Sequence, residues 1–313
     1  MPKRELTFGY EFEIARNGRD VARVLHDLGA TGQPELHYYH CRCETCDYSR
    51  EDLLFAAQED CTVSAEFPSM VLTWGSERAE RAFKVMEEAA IAGGADLTGN
   101  SGMHVHVCKP RKRKVLWSGE DAAEHVIEDG EGSGRGTRRL TKRQRTNWYL
   151  SRLFARYQDD LLEIAAGARA SVRGYNTPNR VKPNHADLFW NFDLESRFDN
   201  SSPVMQRASG GYSYYGRTRY LTDVGWMFNG SYLDLHRHDH TYEFRLWNAT
   251  KAAWRQRLAV GLSVAMVKAA WAGENVTQRD DRCLEAVIGP FMDDLTWAGL
   301  LRQRFFKGGI ENA

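Results

Sequence analysis

Three pairs of residues spaced i, i+2 stand out as groups that could do chemistry: Glu11 with Glu13, His104 with His106, and Glu243 with Arg245. Each pair alternates with large apolar residues. Phe8, Tyr10 and Phe12 flank the first, Met103, Val105 and Val107 the second, and Tyr242, Phe244 and Leu246 the third. Successive side chains on a β-strand point to opposite faces, so each stretch is expected to offer one polar and one apolar face. Carboxylates and imidazoles gathered on one face of a sheet suit hard divalent cations and the phosphates those cations carry. Acids held close together repel, and a bound cation relieves the repulsion. Taken singly, each pair has a plainer explanation: exposed acids, histidines satisfied by hydrogen bonds, or a cross-strand ion pair. Their joint occurrence, with Asp60 and Glu66 between the first and second, is far more specific. It implies a metal-dependent, nucleotide-using site laid on an antiparallel sheet.

A second cluster is local. Cys41, Cys43 and Cys46 follow His37 and His40, and loops this short close poorly as disulfides, so the clustering suits a metal. Three thiolates with His40, His37 or Cys61 as the fourth ligand would make a structural zinc site, though not the double Cys-x-x-Cys of a zinc ribbon. Reduced loop thiols are the alternative. Thioredoxin-like redox chemistry lacks the surrounding βαβ pattern. His236, His238 and His240 fall in an expected hairpin turn, where simple exposure explains them.

The elements that must carry these groups follow from periodicity. Leu6 to Ile14 alternates and is expected to be the first strand. A helix is expected over Asp20 to Leu28, stopped by Gly29. Two or three strands are expected between Leu53 and Trp74. Ser76 is positioned to cap a helix running to Ile91. The longest helical pattern is Thr141 to Ala166, and another covers Ala252 to Trp271, with a further helical segment from Phe291 to Phe305. Strands are expected at Tyr212 to Leu221, Gly225 to Leu235 and Thr241 to Asn248. Two stretches interrupt this order as inserts: 33–50, which holds the Cys/His cluster, and 109–145, where basic runs flank an acidic, glycine-rich stretch. The second has the composition of a solvated flap, with a lid carrying Arg or Lys to phosphate as the sharper alternative.

Composition sets the outer limits. The 313 residues are read as one domain with a substantial core. Lys and Arg total 42, as do Asp and Glu, so no global charge drives the chain to nucleic acid or anionic membrane. No apolar run approaches a bilayer span and Met-Pro-Lys-Arg-Glu lacks a signal-peptide core, which makes a cytoplasmic protein the default expectation. The oligomeric state is left open.

In their order, these motifs resemble the glutamine synthetase superfamily, and within it the amidoligases. Glu11-Phe-Glu13, then Asp60 and Glu66, then Gly102-Met-His104-Val-His106, then Glu243-Phe-Arg245 follow the superfamily's sequence of Glu-x-Glu, further acids, Gly-x-His-x-His and Glu-x-Arg. Asp60-Cys-Thr-Val-Ser64-Ala-Glu66, Arg169 or Arg173 with Tyr175, and Arg219-Tyr220 with Asn229 match the looser amidoligase pattern. The likeness runs from about residue 6 to 272, and neither insert belongs to it. It implies an α+β fold: a glutamine synthetase-like curved antiparallel β-sheet with helices packed on one face. It implies two Mg²⁺ or Mn²⁺ ions holding ATP, one on Glu11, His104 and Glu243 and the other on Glu13, Asp60 and Glu66. His106 and Arg245 would meet the phosphates, joined by Arg173 and Arg219, with Arg245, His106 and Arg219 as the catalytic set. The implied reaction is ATP-dependent joining of a carboxylate, small or peptidic, to an amine through an acyl phosphate. A metal-dependent phosphotransferase, or an inert binding or structural protein that keeps the fold, are the competing readings.

Overall fold

A computed structural model describes residues 6–38, 41, 43–47, 50–60, 63–97, 101–109, 142–166, 233–234, 240–274, 276 and 280–305. The described residues mix α and β. Strands β1 (Thr7–Ile14), β2 (Ala65–Pro68), β3 (Leu72–Thr73), β4 (Gly102–Cys108), β5 (Leu233–Asp234) and β6 (Thr241–Asn248) form one open antiparallel sheet. Its order is β2-β1-β4-β6-β5, with β3 also paired to β1. The three central strands are the three stretches singled out by alternation, and each is apolar on one side because that side is buried. Phe8, Tyr10, Phe12, Val105, Val107, Tyr242 and Phe244 all enter one core.

Helices α1 (Gly18–Asp27), α2 (Glu77–Ala92), α3 (Lys142–Ala166), α4 (Ala253–Ala272), α5 (Leu284–Ile288) and α6 (Asp294–Phe305) complete the described elements. Ser76 caps α2 as expected: its side chain accepts a hydrogen bond from the Ala79 N–H at 3.2 Å. Phe83 of α2 stacks on Tyr10 at 5.6 Å and on Phe8 at 6.2 Å between ring centroids, which fixes that helix against the apolar side of β1. α4 is buried along almost its whole length, so it has no polar stripe and lies between the sheet and other helices. Its Gly261 is required by close packing, since a Cβ there would stand 2.3 Å from Thr296 Oγ1 of α6. Toward its C-terminus the chain departs from the expected continuous helix at 291–305. Gly289–Phe291 forms a single 3-10 turn with Pro290 in its first turn, and α6 starts only at Asp294.

One irregularity matters for the polar side. Between β4 and β6 the register runs Val105↔Phe244 and then Met103↔Trp247, so three steps of β6 match two of β4. This β-bulge brings both Leu246 and Trp247 into the core, where Trp247 Nε1 donates to Ser263 Oγ of α4 at 3.0 Å. Arg245 lies inside the bulged stretch, beside the polar groups. Among the described residues no helix is long and apolar enough to cross a membrane. The 212–221 strand, most of 225–235, and 110–141 lie outside the described residues, as do Arg169, Arg173, Tyr175, Arg219, Tyr220 and Asn229.

Candidate functional site

Register converts three distant motifs into one patch. Glu11 stands opposite His104 on β1 and β4, His106 opposite Glu243 on β4 and β6, and Glu13 opposite Glu66 on β1 and β2. Residues directly opposed across an antiparallel pair share a face, so all six side chains belong to one side of the sheet. The contacts agree. Glu11 spans the two histidines: Oε2 is 2.9 Å from His104 Nδ1, and Oε1 is 3.1 Å from His106 Nε2. The other nitrogen of His104 lies 3.4 Å from Glu13 Oε1, and its Nδ1 is also 3.8 Å from Glu243 Oε1. Glu13 Oε2 accepts the Gly102 N–H at 2.9 Å, and the Arg245 guanidinium donates to Glu243 Oε1.

Burial and charge compete at each group. Glu243 is 1% exposed and His104 3% exposed, so neither side chain is reached by bulk water. Burial alone would push Glu11 up, but His106 and His104 outweigh it and hold the carboxyl well below the usual range. Burial likewise opposes a charged His106, yet Glu11 and Glu243 raise it. At Glu66, among the described residues, the charges that act most strongly are carboxylates. Burial, with Glu11, Glu13 and Asp60 crowding behind it, pushes that carboxyl up to about 9. Asp60 is partly exposed and accepts the Val63 N–H at 3.0 Å, as in an Asx turn. Among the described residues the polar face gathers five carboxylates, Glu11, Glu13, Asp60, Glu66 and Glu243, beside His104, His106 and Arg245, and a bound cation relieves repulsion between close acids.

One oxygen each from Glu11 and Glu243 and one nitrogen of His106 lie within 4.8 Å of one another. Ligands of a single divalent ion stand no more than about 5 Å apart, because each is about 2.0–2.6 Å from the metal. The residues present therefore fit an ion. The resemblance assigned this ion to Glu11, His104 and Glu243, whereas the compact group contains His106, the residue in register with Glu243. His104 is enclosed by the carboxylates of Glu11, Glu13 and Glu243 instead. Glu13 and Asp60 act on Glu66 electrostatically, but among the described residues these three, the expected ligands of the second ion, are not one of the compact groups of ligand atoms. Backbone register also puts Asp234 of β5 opposite Glu243. No motif had marked it.

The second cluster is a separate centre. His37 Nδ1 is 3.4, 3.1 and 3.4 Å from the sulfurs of Cys41, Cys43 and Cys46. All four ligand atoms lie within 4.8 Å of each other. Of the three candidates for the fourth place, the structure brings His37 there; His40 and Cys61 lie outside the described residues. Burial, reinforced by Cys43 and Cys41, pushes the Cys46 thiol up to about 12. Cys41 and Cys46 sit in a small satellite core with Leu53, Ala56 and Met70. Gln58, which carried no sequence signal, donates from Nε2 to the Cys41 carbonyl at 3.1 Å and is buried.

Scans against protein-family models and curated proteins return no match for this chain.

Proposed function

We propose that the chain is an ATP-dependent carboxylate–amine ligase of glutamine synthetase-like fold, using Mg²⁺ or Mn²⁺ on the polar face of the sheet. The observation that carries the reading is the convergence of Glu11, His106 and Glu243 from three neighbouring strands within 4.8 Å. They stand in the same linear order of motifs that the superfamily uses. A mixed carboxylate–imidazole set leaves room for Mn²⁺ as well as Mg²⁺. When bound, the ion supplies charge neutralisation for nucleotide phosphates.

The chain's own groups have distinct parts in this reading. Glu11 reaches both imidazoles, at His104 Nδ1 and His106 Nε2, and so orients them beside the cation. Glu243 binds the cation and aims Arg245, whose planar guanidinium can meet phosphate oxygens in two hydrogen bonds. A substrate carboxylate oxygen forms a bond to the γ-phosphorus of ATP as the bond to ADP breaks. The amine nitrogen then attacks the acyl carbon, inorganic phosphate leaves, and the amine gives up a proton. No protein nucleophile is needed, and the rate rests on positioning and on charge balance at the phosphate. Arg173 and Arg219 join this set as nucleotide-binding residues by resemblance alone.

Two measurements test it. Calorimetric titration of Mg-ATP and Mn-ATP should give heat with the wild type and lose it in Glu243→Ala; equal heats in both would remove the site. ATP turnover against a panel of carboxylates and amines, read by mass spectrometry, should give ADP, phosphate and a product condensed with loss of water. A phosphorylated product without amide would instead make the protein a phosphotransferase. Nucleotide binding without any turnover would make it a binding protein.

A further inference from the structure

We propose that His37, Cys41, Cys43 and Cys46 form a tetrahedral Zn²⁺ centre, bound through His37 Nδ1 and three thiolates, whose task is to clip the loop before β2 onto the edge of the sheet beside Glu66. The centre is independent of the nucleotide reading. The argument begins with the donor count. A neutral imidazole nitrogen facing a thiol has one lone pair and accepts one hydrogen bond, yet three sulfurs surround His37 Nδ1 at 3.1–3.4 Å. Hydrogen bonding among free thiols cannot explain three such approaches to a single nitrogen. A tetrahedral zinc ion does explain them, because Zn–S of about 2.3 Å and Zn–N of about 2.0 Å set sulfur and nitrogen about 3.5 Å apart. The cysteines are not joined as disulfides, and their softness selects zinc over the magnesium or manganese suited to the polar face.

The surroundings say what the ion does. Among the described residues the loop that holds the ligands has a single 3-10 turn, Glu44–Cys46, and a small satellite core of Cys41, Cys46, Leu53, Ala56 and Met70. That core is too small to order the segment unaided. Ties from this loop reach α2 and, through residues 57–59, β2. Arg78 of α2 donates to the Arg50 and Leu53 carbonyls at 2.6 Å each. The His37 N–H donates to the Ala57 carbonyl at 2.9 Å, and the Glu59 N–H donates to the His37 carbonyl at 2.6 Å. Gln58 then exchanges both backbone hydrogen bonds with Glu66, at 3.0 and 2.9 Å, while its side chain holds Cys41. The first and second ligands of the centre are thus one residue's width from the strand that presents Glu66. An extra bridge on β2 also covers the sheet edge that would otherwise be open.

The test uses the full chain. As purified it should contain one zinc per molecule, and exchange for Co²⁺ should give the visible bands of a tetrahedral site with thiolate-to-cobalt charge transfer. His37→Ala and Cys43→Ser should each weaken Co²⁺ binding by more than about 100-fold, beyond what loss of a supporting contact costs. Cys43→His, which restores a ligand at an exposed position, should recover a tetrahedral spectrum with reduced charge transfer. Cys283→Ser should change nothing. Circular dichroism on each variant separates loss of metal from loss of fold. A wild type that takes up no Co²⁺, or a cobalt spectrum unchanged in His37→Ala, would overturn the proposal.

Discussion

Two buried charge clusters in this molecule are built on opposite principles. Behind the sheet, Arg257 of α4 donates to both oxygens of Glu80 at 2.9 and 3.1 Å and to both oxygens of Asp293 at 3.1 and 3.0 Å. Its guanidinium also lies over the Trp74 ring at 4.9 Å. All three guanidinium nitrogens donate to acceptors of the chain, and the cluster ties α2, α4 and the start of α6 together. On the polar face, Glu11, Glu13, Asp60, Glu66 and Glu243 gather around Arg245 and two histidines, and burial with the carboxylates of Glu11, Glu13 and Asp60 pushes Glu66 up. The first arrangement is complete with the chain's own atoms. On the proposed reading the second takes up a cation from solution, which is how a binding site would differ from a structural ion network.

The comparison breaks first on binding. Glu243→Ala is expected to weaken Mn²⁺ and Mg-ATP binding by at least about 100-fold, the scale of losing a preorganised charged contact, measured by calorimetry. Arg257→Met should leave that affinity unchanged and instead cost about 3 kcal/mol of stability in denaturant unfolding. That is the low end for breaking a buried pair, because Glu80 and Asp293 keep some water. Gly261→Ala should cost about 2 kcal/mol by the same measurement, since its Cβ meets Thr296, itself a partner of Arg257.

The two clusters should also respond to pH with opposite signs. Burial opposes the Asp293 charge, but Arg257 and Thr296 prevail and hold its carboxyl below 3.8. Its contribution is therefore present above the ordinary value and lost as pH falls through the lowered one. Glu66 is raised from 4.5 to about 9, so the folded protein binds the extra proton. Without a divalent cation, its effect is a fall in stability as pH climbs from 4.5 toward about 9. Mn²⁺ should flatten this alkaline limb and release a proton on binding. Glu66→Gln should remove the limb and leave the acid one. Thermal unfolding across pH with and without Mn²⁺ reads both.

Much of this was legible before any coordinates, and the failures have physical reasons. Strict alternation in β1, β4 and β6 revealed the polar and apolar faces, because a slip of one residue would bury the wrong set. A slip of two keeps the face and changes only the partners. That is why alternation could gather His104 and His106 onto the patch without deciding which of them joins Glu243. The bulge at Arg245 had no sequence signal either. In the Cys/His loop, local spacing announced the cluster but not whether His37, His40 or Cys61 completes it, since the path of an aperiodic loop depends on its packing against Gln58 and Arg78. Asp234 had a strand pattern around it but gained meaning only from standing opposite Glu243.

The most direct test of the polar face is anomalous diffraction at the manganese edge from crystals grown with Mn²⁺ and a non-hydrolysable ATP analogue. The account expects a peak bounded by Glu11, His106 and Glu243, with phosphate density on its open side. A nucleotide bound elsewhere, with those three side chains still holding one another and no metal between them, would contradict it.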